Sequence, residues 1–167
     1  MLIRKEIESD ISAIDQLLRE AFSSEVEPAL VHLLRERQEL IVSLVAVKED
    51  KVIGHVCASP VTVDNSSIPI AGIGPLAVNE SNRCKGIGGL LMEEIINQLR
   101  ISGFTAAVLL GAPDYYPRFG FSKGSDFDLT NEYGADAAFM AIELHPDALA
   151  NVSGLVKYTQ AFADCDA

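Results

Sequence analysis

Tryptophan is absent from this chain of 167 residues, and cysteine, methionine and histidine occur only three times each. Cys57, Cys84 and Cys165 lie far apart with no CxxC pair, which speaks against a zinc site or a disulfide framework and fits a reducing, cytoplasmic compartment. No metal site is expected. Positive charge is also scarce, with 13 Lys and Arg against 24 Asp and Glu, for a net charge of −11. A protein that grips nucleic-acid phosphates needs clustered cations, so no nucleic-acid partner is expected. Long hydrophobic runs are missing as well. "LIVSLVAV", from Leu40 to Val47, is broken by Ser43 and is far too short for a bilayer. "MLIRKEIESDISAI" is charged from its fourth residue and does not read as a secretory signal, so no membrane association is expected. There is no internal repeat, low-complexity tract or linker.

What is present is apolar: 49% of the residues are hydrophobic, enough for a core without disulfides or a structural metal. The length fits one domain spanning 1–167. "IRKEI" reads as a short strand. Ser9 or Asp10 can cap a helix whose Ile11, Ile14, Leu17, Leu18 and Phe22 keep helical spacing. A second helix is predicted from Glu27 to Arg37, with Pro28 in its first turn. From Leu40 the β-branched content rises, and "KEDK" and "DNSS" punctuate three antiparallel strands near 40–48, 52–63 and 68–78. A helix follows from Gly86 to about Arg100, then the apolar strand "FTAAVLLGAP", a short aromatic helix or turn "DYYPRFGF", and two closing strands in "AAFMAIEL" and "GLVKYTQAF". The order βααβββαβαββ makes the strand at 68–78 the place where antiparallel pairing gives way to a parallel βαβ unit, and ligands often sit where sheet order changes. Pro75 cannot donate a ladder hydrogen bond, so a bulge or an edge is expected there.

The chemistry concentrates in "NRCKGIGGLL", Asn82 to Leu91. Gly86, Gly88 and Gly89 open a helix whose first N–H groups have no partner and carry partial positive charge. Without Cβ atoms they let an anion approach closely, and Arg83 and Lys85 add full charges. The result is a pyrophosphate cradle. It is not a Walker loop, since G-x-x-x-x-G-K-[ST] does not occur. Nor is it a dinucleotide fingerprint, because the glycine spacing differs and several strands precede it.

"LAVNESNRCKGIGGLLMEEII" resembles the acetyl-CoA-binding motif of the GCN5-related N-acetyltransferases, whose core [Q/R]-x-x-G-x-[G/A] is here Arg83-Cys84-Lys85-Gly86-Ile87-Gly88. "YYPRFGF" is similar to the family's Y-x-x-x-G-F element, and the element order matches across almost the whole chain. The tail "FMAIELHPDAL…GLVKYTQAF" resembles a bacterial branch of predicted N-acetyltransferases. The resemblance implies an α/β fold of the GNAT type: a mixed sheet with antiparallel N-terminal strands, a parallel pair of strands that splay apart, and flanking helices.

It further implies an enzyme that moves an acetyl group from acetyl-CoA to a primary amine by direct attack in a ternary complex, acting as a monomer or homodimer. The pyrophosphate would rest on Cys84 to Gly89, with Arg83 and Ile87 in the same motif and Phe119 at the cofactor. Leu76, Ala77 and Val78 would line the pantetheine arm, with Leu76 and Val78 offering backbone groups to it. A backbone N–H near Leu76 would stabilise the oxyanion. Tyr116 is the implied proton donor to the departing thiolate, and a phenol is protonated at neutral pH; the alternative is an aromatic that only packs against the cofactor. No acid lies on the 68–78 strand, a departure from many members, so Glu27 is the candidate base, with Glu25 and His32 as alternatives. His55 alternates within a strand and reads as structural. Cys84 lies beside the pyrophosphate, a pantetheine length from the thioester, and is not an acyl carrier. The acidic loop "SKGSDFDLTNEYGADA" points to a cationic acceptor, a small molecule or a lysine side chain. An acyl-CoA-binding sensor or subunit without turnover, and an unrelated α/β binding domain, remain the competing classes.

Overall fold

A computed structural model describes residues 1–165. The elements run β1 (Leu2–Lys5), α1 (Ile11–Phe22), α2 (Val26–Glu36), β2 (Val42–Lys48), β3 (Lys51–Val63), β4 (Ser66–Val78), α3 (Ile87–Ile101), β5 (Ala106–Leu110), β6 (Ser122–Lys123), β7 (Leu129–Asn131), β8 (Phe139–Glu143), β9 (Gly154–Lys157) and α4 (Gln160–Asp164). The main sheet has the order β1-β2-β3-β4-β5-β8-β6, with β9 paired to β3 and β7. Pairing is antiparallel except for β4–β5 and β7–β9. This is the mixed α/β architecture expected from the sequence.

The two faces of the sheet carry separate apolar clusters. Leu91, Met92, Ile95 and Leu99 repeat at helical spacing along α3 and bury completely against β2, β3 and β4. Each such side chain contributes about 1.5–3 kcal/mol on removal from water. On the opposite face Ile14, Leu17 and Leu18 of α1 and Val31 of α2 close over Val45, Cys57 and Ala77. The cap expected at Asp10 works differently. Its carboxylate accepts two bonds from Arg4 (2.6 and 3.1 Å) and one from the Ile7 amide (2.8 Å), so it ties the helix start back to β1 and does not cap α1.

Two features of β4 shape the site. Gly74 and Pro75 together stand opposite the single residue Cys57, which is the bulge that Pro75 predicted. The Gly74–Pro75 peptide is cis. The β4–β5 pairing covers only Ile70↔Ala106, Ala71↔Ala107 and Gly72↔Val108, while β4 continues to Val78 and β5 to Leu110. The strands therefore separate from the bulge onward and leave backbone groups without a sheet partner.

In the last third the aromatic turn and the strand in "AAFMAIEL" form as expected, and the remaining segments depart from expectation. "GLVKYTQAF" is read as one strand, yet it becomes β9 and then α4, because Thr159 turns the chain in extended geometry at the N-cap (φ −66°, ψ 161°). The acidic loop contains β6, a 3₁₀ turn over Gly124–Phe127 and β7.

Candidate active site

The glycine segment sits where the sequence places it. Cys84 (φ 62°) and Gly86 (φ 82°) both adopt the left-handed conformation, and α3 starts at Ile87 with no side-chain cap. At Gly86 a Cβ would be strained whatever the space around it. At Gly88 and Gly89 a Cβ would make ordinary contact, 3.6 Å from Tyr115 Oη and 3.7 Å from the Phe119 ring, and would occupy the space between them. The missing side chains thus open a cleft of about 590 Å³ between the first turn of α3 and the aromatic 3₁₀ turn, lined also by Val78, Asn82, Arg83 and Arg118. Lys85 is exposed beside it and is not part of its wall. Cys84 and Ile87 border it.

The edge of β4 is directional. The Asn79 amide donates to Ile53 O (2.9 Å), which makes Ile53/Asn79 a hydrogen-bonded pair. By alternation His55/Ala77 is another, and the backbone groups of Leu76 and Val78 point away from β3, toward the gap beside β5. Val78 O accepts a bond from Arg83 Nε (3.0 Å), anchoring the glycine-rich segment to the strand. Ala77 must be corrected. Its amide faces β3 and its side chain is buried beneath α1, so it does not border the cleft.

Tyr116 packs beside Gly111, the residue that follows β5. Its ring contacts Tyr115 edge-on (centroids 5.0 Å) and approaches Phe119 (6.3 Å) and Phe121 (6.1 Å). Its other side rests on Gly111, where a Cβ would overlap the ring. Burial, and then Tyr115, raise the pKa of its hydroxyl above the usual phenol value, so it holds its proton at neutral pH and suits an acid. Beyond Gly111, Leu110 forms part of a second cavity, of about 370 Å³, on the α2 side of the sheet. Gly72, Gly74 and Pro75 form its floor, and Leu30, Tyr133, Tyr158 and Phe162 its walls.

The model of the acetyltransferase (GNAT) domain matches residues 3–124. The N-acetyltransferase YhbS of Escherichia coli K12, itself uncharacterised, is 43% identical over 164 residues, 97% of this chain and 98% of its own length. The chain belongs to the GNAT acetyltransferase family. The crystal structure of E. coli YhbS in complex with CoA superposes with a TM-score of 0.93 at 41% identity, over 97% of this chain and 91% of that one. A GNAT acetyltransferase from Brucella melitensis solved with acetyl-CoA gives 0.82 at 34% identity, over 96% and 97%.

Among the candidate bases of this GNAT chain, geometry separates one from the others. Glu25 is exposed and paired with Arg19 (2.6 Å), whose hydrogen bond lowers its pKa. His32 is exposed, with Nε2 3.9 Å from Glu36. Glu27 is half-buried, and its Oε2 is fully enclosed with no hydrogen-bond partner. It stands one turn ahead of Leu30 on the inward stripe of α2.

His55 is structural, as expected. It is completely buried, and burial pushes its pKa down to about 4. Its Nε2 lies 2.8 Å from Ser43 Oγ, which bonds to Glu6, which in turn pairs with Arg35 through two bonds of 2.9 and 3.0 Å. Burial works to raise the Glu6 carboxyl, but hydrogen bonds from Arg35 and Ser43 outweigh it and hold it below the ordinary value. The chain Arg35–Glu6–Ser43–His55 fastens α2 to β2 and β3 through Glu6, the residue after β1, and so fixes the helix that carries Glu27.

Sequence reasoning missed Arg118, which stacks over the Tyr115 ring (4.3 Å) at the cleft wall, and Gly111 beneath Tyr116. Arg118 lies within "YYPRF" and Gly111 shortly before it, so the motif itself was the available signal. Tyr133, Tyr158 and Phe162 carried none, because they are brought together by non-local pairing of β7 with β9. They make the second cavity apolar, in contrast to the acidic acceptor site expected from the loop's composition.

Proposed function

We propose that this chain, working as one catalytic domain, transfers the acetyl group of acetyl-CoA to a primary amine by direct attack within a ternary complex. The observation that carries this reading is the opening between β4 and β5. The cleft with the free helix start borders β4 at Val78, the apolar cavity borders it at Gly72 to Pro75, and Tyr116 packs on Gly111 just past the end of β5.

The residues present fit coenzyme A. The unpartnered amides at the start of α3 and the cation Arg83 suit a pyrophosphate, with Lys85 close by. The backbone groups of Leu76 and Val78 that face away from β3 suit the two amides of pantetheine, which adds along β4 as a short strand. The thioester then lies at the bulge. The amine nitrogen attacks the thioester carbon, forming the C–N bond. The oxyanion is held by the Leu76 N–H. Glu27 takes the proton from the attacking nitrogen, the C–S bond breaks, and Tyr116 gives its proton to the thiolate. The products are an N-acetyl amine and free CoA; Glu27 gives its proton up to solvent, and solvent reprotonates Tyr116.

Tyr116→Phe tests the assignment. Turnover falls at least tenfold while acetyl-CoA affinity changes little; an unchanged rate reduces Tyr116 to packing. Tight acetyl-CoA binding with no amine-dependent thiol release would make the chain a sensor or subunit. That alternative is favoured by the lack of an acid on β4.

A further inference from the structure

We infer that the acceptor of this site is a small amine on an apolar body of about the size of an aromatic ring, its nitrogen held by Glu27 and Ser59 and its body lying among Leu30, Tyr133, Tyr158 and Phe162. The inference rests on the acetyl-transfer reading and names the substrate class that reading leaves open.

Size comes first. A cavity of about 370 Å³ is much larger than an acetyl group and lies at the low end of small-ligand sites. It accommodates a compact molecule beside the acyl group. Wall chemistry comes second. The chain carries 24 acidic residues, yet among the described residues none lines this cavity. Three rings form a continuous ladder there, Tyr133 to Tyr158 at 5.8 Å and Tyr158 to Phe162 at 4.8 Å. The ladder reaches the strand because of Gly72: a Cβ at that position would stand 2.7 Å from Tyr158 Cε1. A second ammonium on the acceptor would be desolvated here without a counter-charge, which is costly. The same walls lower the pKa of the single reacting ammonium, helping it reach the neutral form that attacks.

The third observation separates an amine from a longer acyl chain. Buried polar atoms are nearly always hydrogen-bonded, yet Glu27 Oε2, Ser59 Oγ and Thr159 Oγ1 are buried without partners. None of the three residues is in the cavity wall, but each adjoins a wall residue in sequence or register. Glu27 precedes Leu30 by one turn. Ser59 is the register partner of Gly72, on the same face of β3 as Val61, whose Cγ1 approaches the Gly72 position at 3.0 Å. Thr159 follows Tyr158 at the cap of α4. All three atoms accept hydrogen bonds, and a nitrogen bearing hydrogens is their complement. A methylene chain would leave them unpaired.

The test is calorimetric titration of the CoA-saturated protein, which cannot turn over, with 2-phenylethylamine and with putrescine. Phenylethylamine is expected to bind at least tenfold more tightly. Tyr133→Ser, at an exposed rim position, should weaken it at least fivefold. Ser59→Ala should weaken it at least fivefold while leaving the melting temperature equal or higher, since an unpaired buried hydroxyl is removed. A purely structural Ser59 would not give that combination. The inference is overturned if putrescine binds as tightly as phenylethylamine. It is also overturned if neither amine binds and hexanoyl-CoA outperforms acetyl-CoA as donor in turnover. Phenylethylamine binding without thiol release from acetyl-CoA would defeat the transfer reading alone.

Discussion

Gly111→Ala is a sharp perturbation because it touches the proposed acid without changing it. The Tyr116 ring packs on Gly111, and a methyl group there would overlap ring atoms Cε2 and Cδ2, the latter 2.9 Å away, and crowd Cζ at 3.1 Å. Restoring ordinary contact moves the ring by about 1 Å, and a displacement of that size at a reacting group can cost roughly a hundredfold in rate. The ring is boxed in by Tyr115, Phe119 and Phe121, so it cannot swing aside freely. Turnover of Gly111→Ala, followed by thiol release, should fall by about ten- to a hundredfold. The rise in melting temperature with acetyl-CoA should persist, because Arg83 to Gly89 are untouched. The double variant with Tyr116→Phe decides the matter. If Gly111 acts through Tyr116, the pair is no slower than Tyr116→Phe alone, since interacting sites are non-additive. Full additivity, or a Gly111→Ala enzyme with unchanged turnover, would refute the placement of Tyr116 at the thioester.

The glycines at the start of α3 should divide by role. Gly86→Ala forces a side chain into the left-handed region and should cost about 1–2 kcal/mol of stability, read by urea unfolding. Gly88→Val has ordinary helical geometry but fills the space facing Tyr115 and Val78, so the KM for acetyl-CoA should rise at least tenfold with the melting temperature equal or higher. His55 makes stability depend on pH. Its folded pKa of about 4 lies below the ordinary value of 6.5, so on acidification the unfolded chain binds a proton that the folded protein refuses. Stability is therefore complete above pH 6.5 and falls by about 2 kcal/mol between pH 7 and pH 5. His55→Gln should abolish this part of the slope in denaturation measured at both pH values.

The fold was legible through β5 because each element there is long enough to show its period. The Ile14–Leu17–Leu18 stripe and the α3 repeat are helical, and the strands of β2 to β4 lie between clear turns. Pro75 announced the bulge by the donor it lacks. Beyond Phe121 the strands shrink to two to five residues, below the length at which alternation is visible. Their partners are distant in sequence: β9 closes on the end of β3 and runs parallel to β7. The same limit divides the site. Arg83 to Gly89 form one contiguous segment, and Tyr116 belongs to a motif at a fixed distance from it. The apolar cavity draws on α2, β4, the β7 region and α4, so no local pattern reveals it, and the acidic composition of residues 122–137 pointed elsewhere. Ala77 shows a finer limit: the register decides which strand residues face the cleft.

The most direct measurement is the initial rate of CoA thiol release from acetyl-CoA as amine concentration is varied at several fixed acetyl-CoA levels, with the N-acetyl product counted by mass spectrometry. Direct transfer predicts amine-dependent release, one N-acetyl amine per thiol, and intersecting double-reciprocal lines. Thiol release independent of amine, or parallel lines with an acetyl group retained on the protein, would contradict it.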